Sequence, residues 1–368
     1  MSASPLVLVD ADTVGRARTG DEAYTINLLR ELPGAAPDLA FAASLRDPAA
    51  MPDDVPSSVR RLPLPVASPY RRIPFALPGL ARREGASLLH VQYFVAPRVA
   101  IPTVVTVHDL SFTRRPELFG LRDRMLLGGL VPGSLRRARR VIAVSEFTRE
   151  DLIDRYRIAT DRVVAIRNGV AARFRPDPEA AAATRANLRL ERPFVLFVGA
   201  LQPRKNAPAL LEAFARLRGH DDVELVIAGG DRGGLEEVRE RIRDLALGPR
   251  VRLLGHVSEA ALPGLYSAAT LLAFPSLYEG FGLPALEAMA CGTPVCASVT
   301  TGLGEAVGDA GLTFDPSSAE EISDCLRRLL EDDRLREALR AAGLARAASF
   351  TWRRSAEATA AVYREAIG

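Results

Sequence analysis

The stretch from Leu271 to Ala297 constrains this chain most, because it reads as strand, glycine loop, helix and strand in immediate succession. Leu271–Phe274 is a short apolar run closed by a proline, a pattern typical of a buried parallel strand. Gly280 and Gly282 then allow backbone angles that are closed to other residues. A proline suits the start of the following helix and a glycine suits its end. The stretch therefore predicts an α/β protein with a tight turn at the end of one strand.

This turn predicts an anion site. A glycine loop that leads into a helix points free backbone N–H groups and the positive end of the helix dipole at one spot, which suits a phosphate. Glu279 precedes the turn, and Glu287 lies in the early helix, eight positions later. Because carboxylates repel phosphate, we expect these two glutamates to accept hydrogen bonds from hydroxyl groups of a sugar and a ribose.

The run from Glu279 to Glu287, EGFGLPALE, followed by AMACGTPV, resembles the E-x7-E signature of retaining glycosyltransferases of family 4. The resemblance implies the α/β GT-B fold, in which two Rossmann-like domains face each other across a cleft. It also implies that Glu279 holds the transferred sugar and Glu287 the ribose, while a nucleotide sugar contacts the loop residues Gly280, Phe281, Gly282 and Leu283. The alternative is an ordinary strand-to-helix turn with incidental glutamates.

A second strand-loop-helix unit begins with the apolar run Phe194–Val198 and continues as GALQPRKN. Lys205 in this loop is the only lysine of the chain, and the other 47 basic residues are arginines. A chain that otherwise uses arginine throughout favours a site here that requires a compact ammonium group. The pair Arg204 and Lys205 matches the Arg-Lys pair of the family, which implies that both stabilise the leaving diphosphate. Surface charge is the alternative.

Two candidate positions lie in the first half of the chain. His108 follows the apolar run Thr103–Val107, and catalytic residues favour the carboxyl ends of such strands. It resembles the His-Asp of the family, which implies contact with the sugar or the reacting centre. Gly20 precedes a predicted helix at Ala23–Leu32, where a diphosphate or the acceptor could approach the backbone. Glu22-Ala23 departs from the family pattern there, so a plain turn explains Gly20 equally well.

The remaining candidates concern the nucleobase and metals. His256 and Val257 follow the predicted strand Val251–Leu254, and the family resemblance implies that this turn lies against the nucleobase; an exposed loop is the alternative. Asp10-Ala-Asp12 resembles the metal-binding Asp-x-Asp of the GT-A glycosyltransferases. It comes too early in the chain to follow a nucleotide-binding unit. We therefore expect these aspartates to order the loop to Gly20 or to bind the acceptor, with no metal site.

The length of 368 residues predicts two domains, at about 150 residues per domain. We expect an acceptor-side domain at residues 1–175, a nucleotide-sugar domain at 176–350, and a C-terminal helix at 351–368 that crosses back to the first domain. The alanine-rich stretch Pro176–Arg192 is interpreted as the boundary region. The proline-rich stretch Pro63–Pro78 is too irregular for a core element and is interpreted as an acceptor loop or a membrane-contacting edge.

Charge and cysteine content predict partners and location. Residues 1–175 hold 26 arginines against 18 acidic residues, which favours an anionic partner such as a lipid diphosphate or a membrane surface. Solvated arginines explain this balance equally well. The arginine pairs are scattered and are not clustered with aromatic residues, which argues against nucleic acid. Three cysteines without disulfide or metal spacing favour the cytoplasm. The basic first half allows peripheral contact at the inner face of a membrane.

Together these features predict a retaining glycosyltransferase that moves a mannosyl or glucosyl group to a glycan or lipid-linked acceptor. GDP-mannose is the first expected donor, with UDP-glucose or ADP-glucose next, and neither a cofactor nor a metal is expected. An epimerase or a phosphorylase on the same scaffold would need features absent here, such as a pyridoxal-binding lysine besides Lys205. The other alternative is a non-catalytic nucleotide-sugar-binding subunit of a polysaccharide assembly complex.

Overall fold

Short apolar runs alternate with helices along the chain, and each run forms a strand of a parallel sheet. The structure is a computed structural model that describes residues 4–16, 19–97 and 99–368. The helices and strands up to residue 165 are β1 Leu6–Asp10, α1 Thr19–Ala35, β2 Ala40–Leu45, β3 Val59–Pro63, α2 Pro69–Arg71, α3 Leu77–Arg83, β4 Leu88–Gln92, β5 Thr103–Val107, α4 Ser111–Arg114, α5 Leu121–Arg137, β6 Arg140–Ala143, α6 Glu146–Tyr156 and β7 Val163–Ala165.

The second part repeats this alternation and ends in three consecutive helices. Its elements are α7 Pro178–Leu188, β8 Phe194–Val198, α8 Ala207–Ala215, β9 Glu224–Ala228, α9 Leu235–Asp244, β10 Val251–Gly255, α10 Leu262–Ala268, β11 Leu271–Phe274, α11 Leu283–Ala290, β12 Val295–Ser298, α12 Gly302–Val307, β13 Leu312–Phe314, α13 Ala319–Glu331, α14 Asp333–Ala348 and α15 Trp352–Ile367. Short 3₁₀ turns and one π-helical segment join them at Pro48–Ala50, Arg72–Ala76, Pro116–Leu118, Thr160–Arg162, Pro203–Lys205, Gly248–Arg250 and Gly308–Ala310.

The chain forms two units, each built on its own parallel sheet. The described residues up to 169, together with 351–368, form the first unit, and the seven strands described there run in the order β3-β2-β1-β4-β5-β6-β7. Residues 170–350 form the second unit, whose six strands run in the order β10-β9-β8-β11-β12-β13. The order reverses between β1 and β4 and again between β8 and β11. Ligands of open α/β sheets bind at such reversals, outside the carboxyl ends of the strands.

β8 and β11, the central strands of the second sheet, are apolar throughout, as expected where helices cover both faces of a parallel sheet. All five residues of β8 and all four of β11 are buried. This matches the two apolar runs that the sequence places before the lysine loop and before the glycine loop. The prediction of an α/β fold with two Rossmann-like halves is confirmed. Within the described residues, no helix combines the length and apolar character needed to cross a bilayer.

The division between the units follows Gly169, where the chain passes close to the start of α15. A Cβ atom on Gly169 would lie 2.1 Å from the backbone nitrogen of Trp352, so only glycine fits. The next residues belong to the second unit, whereas the sequence placed the boundary at 175/176. Arg173 forms an ion pair with Glu259 at 2.8 Å, and the ring of Phe174 packs 5.9 Å from that of Tyr266.

The stretch Pro63–Pro78, expected to be irregular, is largely helical from residue 69 onward. Residues 69–71, 72–76 and 77–83 form consecutive α, π and α segments. Arg72 explains this order, because its guanidinium is fully buried and donates to the carbonyl oxygen of Leu64 at 2.9 Å and to the hydroxyl of Ser44 at 3.1 Å. These contacts fix the segment to β2 and to the residue that follows β3, which the proline content alone did not indicate.

The stretch Pro176–Arg192, interpreted as a boundary region, contains the helix α7 of the second unit. The Asp177 carboxylate caps this helix by accepting a hydrogen bond from the Ala180 N–H at 2.8 Å. α7 packs closely on α10 at Gly264, where a Cβ atom would lie 2.5 Å from the hydroxyl oxygen of Thr184. The stretch is therefore a capped helix that packs within the second unit.

Candidate active site

The candidate site of the second unit lies where the strand order reverses between β8 and β11. Arg204 and Lys205 end the 3₁₀ turn that follows β8, and Glu279 lies in the loop that follows β11. Lys205 Nζ is 2.6 Å from Glu279 Oε1, and an Arg204 guanidinium nitrogen is 3.0 Å from Glu279 Oε2. The structure therefore brings Glu279 into contact with two cations that lie 74 and 75 positions before it in the sequence. The contact forms because the two loops follow adjacent strands.

This charge cluster is buried. The side chains of Lys205 and Glu279 are 10% and 9% exposed, and Lys205 Nζ lies 4.8 Å from the centroid of the Phe274 ring. Burial alone raises the pKa of the Glu279 carboxyl, but the charges of Arg204 and Lys205 and the lysine hydrogen bond outweigh it and lower the pKa to about 2. Glu279 is therefore ionised at neutral pH, and two cations face one carboxylate.

Hydrogen bonds to backbone carbonyl oxygens connect the two loops. The Arg204 guanidinium donates to the carbonyl oxygen of Tyr278 at 2.6 Å, and the Leu277 N–H donates to the carbonyl oxygen of Arg204 at 2.9 Å. The Asn206 side-chain amide donates to the Pro275 carbonyl oxygen at 3.2 Å. The cations are thus held in place before any ligand arrives, which is the preorganisation that electrostatic stabilisation requires.

The glycine loop forms the start of α11, as the sequence predicted. Gly282 adopts φ +105°, and a Cβ atom there would lie 2.5 Å from Leu303 Cδ1. Phe281 points into the core, with its ring 5.7 Å from that of Phe350, while Gly280 is buried and Leu283 is partly buried. Because the Phe281 side chain is used for packing, this loop offers a ligand mainly backbone N–H groups, which the first turn of a helix leaves without intrahelical partners.

Glu287 lies in the second turn of α11 and has different neighbours. The Tyr266 hydroxyl donates a hydrogen bond to Glu287 Oε2 at 3.0 Å. Burial raises the pKa of the Glu287 carboxyl to about 7, although the tyrosine hydrogen bond and the nearby charge of Arg173 act to lower it. The two glutamates of the signature therefore differ electrostatically: Glu279 is firmly ionised, and Glu287 is close to half protonated at neutral pH.

His108 and Gly20 lie in the first unit. His108 follows β5, its Nε2 is 2.8 Å from the side-chain oxygen of Gln92, and its ring meets the ring of Tyr24 edge to face at 4.9 Å. The nearest carboxylate oxygen, on Asp21, is 3.9 Å away. Gly20 is the second residue of α1, which begins four residues before the predicted Ala23. A Cβ atom on Gly20 would meet nothing within 4 Å, so packing does not require glycine there.

His256 and Val257 follow β10, at the edge of the second sheet. His256 is exposed and Val257 is half-buried. β9 lies between β10 and β8, so these residues are one strand removed from the lysine loop. They share the carboxyl edge of the sheet with the charge cluster, and the structure gives them no further distinguishing contact within the part of the chain it describes.

Asp10 and Asp12, the two aspartates at the end of β1 that resemble a metal-binding motif, form ion pairs with arginines. Asp10 forms an ion pair with the buried Arg72, and Asp12 pairs with Arg46 at 2.5 Å and Arg16 at 2.7 Å. Burial raises the pKa of Asp12, but these arginines outweigh it and lower the pKa overall. Throughout residues 4–16, 19–97 and 99–368, no three His, Cys, Asp or Glu side chains are grouped so that they could hold a metal ion.

Two residues that support the glutamates were not predicted from the sequence. Tyr266, which binds Glu287, is fully buried and lies in a helix with no motif around it. Thr301 has φ +66°, a value rare for a residue other than glycine, and its hydroxyl accepts a hydrogen bond from the Glu279 N–H at 2.9 Å. The adjoining Gly302 was the only available signal: a Cβ atom there would lie 2.0 Å from the Gly280 carbonyl oxygen.

Two parallel α/β sheets, with cations and a glycine loop at the strand reversal of the second, define a glycosyltransferase of the GT-B class. Two family descriptions match the chain: Glycosyltransferase Family 4 over residues 18–174, and Glycosyl transferases group 1 over residues 181–346. The chain belongs to this glycosyltransferase family, as the signature predicted, and it is a nucleotide-sugar-dependent transferase.

The chain is similar to two curated glycosyltransferases and to one solved structure. An O-antigen chain mannosyltransferase B of Escherichia coli is 34% identical over 284 residues, covering 75% of this chain and 74% of the relative. A D-inositol 3-phosphate glycosyltransferase of Salinispora arenicola is 36% identical over 309 residues, covering 76% of this chain and 69% of the relative. The solved sucrose-phosphate synthase of Thermosynechococcus elongatus has a TM-score of 0.81 at 24% identity, covering 98% of both chains, and so shares the fold.

Proposed function

We propose that the protein transfers a mannosyl group from GDP-mannose to a glycan or lipid-linked acceptor, with retention of the anomeric configuration. Similarity to an O-antigen chain mannosyltransferase supports the sugar and a polysaccharide acceptor. UDP-glucose and ADP-glucose, which would make the protein a glucosyltransferase, are the next donors to test.

The cluster of Arg204, Lys205 and Glu279 is the observation that carries this proposal. Two cations against one carboxylate leave one net positive charge at the strand reversal, beside the N-terminus of α11. A nucleoside diphosphate that departs from the sugar gains negative charge as the bond breaks. Fixed cations and backbone N–H groups stabilise that charge without reorganising, which is how such a site lowers the barrier.

The remaining residues would bind the rest of the donor. A carboxylate has about four lone-pair sites, so Glu279 keeps acceptor capacity for sugar hydroxyls while it holds Arg204 and Lys205. Glu287 would accept hydrogen bonds from the ribose hydroxyls, and His108 would contact the sugar or the reacting centre.

Retention follows if the acceptor attacks from the side on which the diphosphate leaves. In that step the bond from the anomeric carbon to the acceptor oxygen forms as the bond to the phosphate oxygen breaks. The leaving phosphate takes the proton of the acceptor hydroxyl, so no protein nucleophile is needed. Neither a cofactor nor a metal ion is part of this proposal.

We further propose that the reaction takes place in the cytoplasm, with the basic first unit against the inner face of a membrane.

A thermal-shift screen across nucleoside diphosphates and their sugars tests the donor. A ligand at 100 times its dissociation constant stabilises the folded protein by about 2.7 kcal/mol, which is readily measured. GDP and GDP-mannose are expected to give the largest shifts, and transfer followed by NMR of the product is expected to show the α-anomer of the donor retained. A larger shift with UDP or ADP ligands would change the donor, and an inverted product would refute retention.

The role of Lys205 can be separated from its pairing with Glu279. Lys205→Met is expected to lower kcat/KM at least about a hundredfold. Free GDP binding then compares Glu279→Gln with the double variant Lys205→Met/Glu279→Gln, in which no carboxylate is left unpaired. The double variant is expected to bind GDP at least about tenfold more weakly, because only the ammonium differs. Equal affinities would mean that Lys205 merely neutralises Glu279.

A further inference from the structure

The helical segment 69–83 of the first unit presents two large apolar side chains to solvent. Phe75 is 73% exposed and Tyr70 is 57% exposed, the two highest values among the large apolar residues that the structure describes. The opposite side of the segment is buried through Leu77, Leu80 and the Arg72 guanidinium. We call the outward side, with Tyr70, Arg71, Phe75, Arg82 and Arg83, the outer face.

The charge around the outer face has one sign. Residues 55–83 contain six arginines and no acidic residue. Two of these arginines act within the fold: Arg72 is buried, and Arg61 donates to the carbonyl oxygens of Met51 and Pro52. The other four, Arg60, Arg71, Arg82 and Arg83, are exposed.

One carboxylate borders this region without neutralising it. Glu84 pairs with both Arg60, at 2.5 Å, and Arg83, at 3.2 Å. Two guanidinium groups therefore share a single negative charge, and Arg71 and Arg82 add to the excess. A uniformly positive surface fits a uniformly negative one.

Apolar surface and cation also meet in a shallow groove beside the segment. This groove of about 580 Å³ is lined by Pro65, Val66, Ala67, Ser68, Arg71, Phe75 and Ala76. Phe75 and Arg71 share its rim, so an apolar ring and a guanidinium lie side by side. Such a combination suits the boundary between lipid headgroups and acyl chains, where rings bury their apolar part and arginines reach the phosphates.

We propose that the outer face docks onto an anionic lipid bilayer, with Tyr70 and Phe75 entering the headgroup layer and Arg71, Arg82 and Arg83 pairing with lipid phosphates. Because Arg72 anchors the segment to Ser44 and Leu64, the face is formed before the membrane is met, and little ordering entropy opposes docking. This inference deepens the membrane contact proposed above and is independent of which sugar is transferred.

Vesicle flotation of the full-length protein tests the proposal. Vesicles of phosphatidylcholine with 30% phosphatidylglycerol are expected to bind the protein at low salt, and pure phosphatidylcholine vesicles are not. Arg71→Ala/Arg82→Ala is expected to weaken partitioning about twenty-five-fold, at about fivefold per arginine. The control Arg216→Ala/Arg218→Ala removes two exposed arginines of the second unit and is expected to leave partitioning unchanged.

The apolar part is tested by a fluorescent reporter. The protein has one tryptophan, Trp352, which is 5% exposed, so an added tryptophan dominates any response to lipid. Phe75→Trp is expected to shift its emission to the blue on anionic vesicles, whereas Leu130→Trp, at another exposed apolar position, is not.

Each outcome of these experiments either supports membrane docking by the outer face or overturns it. Equal binding of the arginine variant and its control, or no shift of Phe75→Trp, would overturn the assignment. A shift with polyglutamate but not with vesicles would assign the face to an acidic protein instead. The thermal shift given by GDP is expected to be the same in all these variants, because none alters the donor site. A failure of lipid binding is therefore distinguishable from a failure of the proposed transfer.

Discussion

At the scale of single residues, the two signature glutamates have opposite environments. Glu279 is tied to two cations, whereas Glu287 is bound by a neutral tyrosine hydroxyl. The spacing of eight positions puts them on one loop-helix unit, but their partners come from different elements: Glu279 meets the loop after β8, and Glu287 meets Tyr266 on α10.

The first prediction separates the two glutamates by ligand. Glu287→Ala is expected to weaken GDP and GDP-mannose alike, because both carry the ribose. Glu279→Ala is expected to weaken only GDP-mannose and to leave GDP binding equal or tighter, because the variant frees two cations for the diphosphate. Titration calorimetry of both ligands with both variants measures this. Equal losses for the two variants would contradict the division of roles.

The second prediction concerns pH. Burial raises the pKa of Glu287 to about 7, and a ribose that donates hydrogen bonds favours the ionised carboxylate. GDP-mannose affinity is therefore expected to rise between pH 6 and pH 8. The diphosphate of a nucleotide sugar has no ionisation of its own in this range. Tyr266→Phe removes a hydrogen bond that lowers this pKa and is expected to move the midpoint upward.

Glu287→Gln provides the control for this pH profile, since it keeps the shape of the side chain and cannot ionise. Its affinity is expected to be flat from pH 6 to pH 8. The raised pKa of Glu287 also makes the stability of the protein depend on pH. Folding raises this pKa from 4.5, so Glu287 contributes fully to the stability of the folded state below pH 4.5, and this contribution is lost as the pH rises toward 7. A wild-type profile as flat as that of Glu287→Gln would remove Glu287 from the nucleotide site.

Sequence alone identified these glutamates and the unique lysine because each lies in a local motif. The ion pair between Lys205 and Glu279 was not predictable, since it depends on β8 and β11 being neighbours. Tyr266 was missed for the same reason: its partner lies 21 residues away on another helix. Local patterns indicated candidate site residues, and the strand order determines which of them touch.

At the scale of elements, strands were predicted more accurately than the segments between them. β5, β8 and β11 have the predicted bounds, because continuous apolar runs are typical of a parallel sheet. The errors fell on α7 and on residues 69–83, where prolines and alanines indicated irregular chain. Proline is compatible with the first turn of a helix, and tertiary contacts such as those of Arg72 override local composition.

The third prediction concerns the end of β1. Asp12 is occupied by Arg16 and Arg46, and Asp10 by Arg72, so neither carboxylate is available as a cation ligand without displacing an arginine. Transfer is therefore expected to persist in excess EDTA. Asp12→Asn is expected to lower stability, because it leaves part of the arginine charge unpaired. Activity lost in EDTA, regained with Mn²⁺ or Mg²⁺, and unresponsive to metal in Asp12→Asn would reverse this conclusion.

At the scale of the whole molecule, the chain leaves the first unit, forms the second, and returns with its last helix. α15 belongs to the first unit, where it covers α1 and the sheet. Trp352 packs its ring 5.9 Å from that of Tyr24, and the Tyr363 hydroxyl lies 2.6 Å from His90 Nδ1. Burial and the nearby His108 lower the pKa of His90 to about 3, so that contact joins neutral groups at physiological pH.

The last prediction is that each unit is stabilised by its own core. Tyr363 is fully buried in the first unit, and Phe214 is fully buried in the second. Tyr363→Ala and Phe214→Ala are each expected to cost about 3–5 kcal/mol of unfolding free energy, because each leaves a cavity the size of an aromatic ring. Hydrogen exchange is expected to show the loss of protection in residues 4–169 and 351–368 for Tyr363→Ala, and in residues 170–350 for Phe214→Ala. GDP is expected to restore protection only in the second case, since the residues proposed to bind its diphosphate and ribose (Arg204, Lys205 and Glu287) all lie in the second unit. If both variants lose protection over the same residues, the chain unfolds as one cooperative block, and the prediction of two separately stabilised cores is wrong.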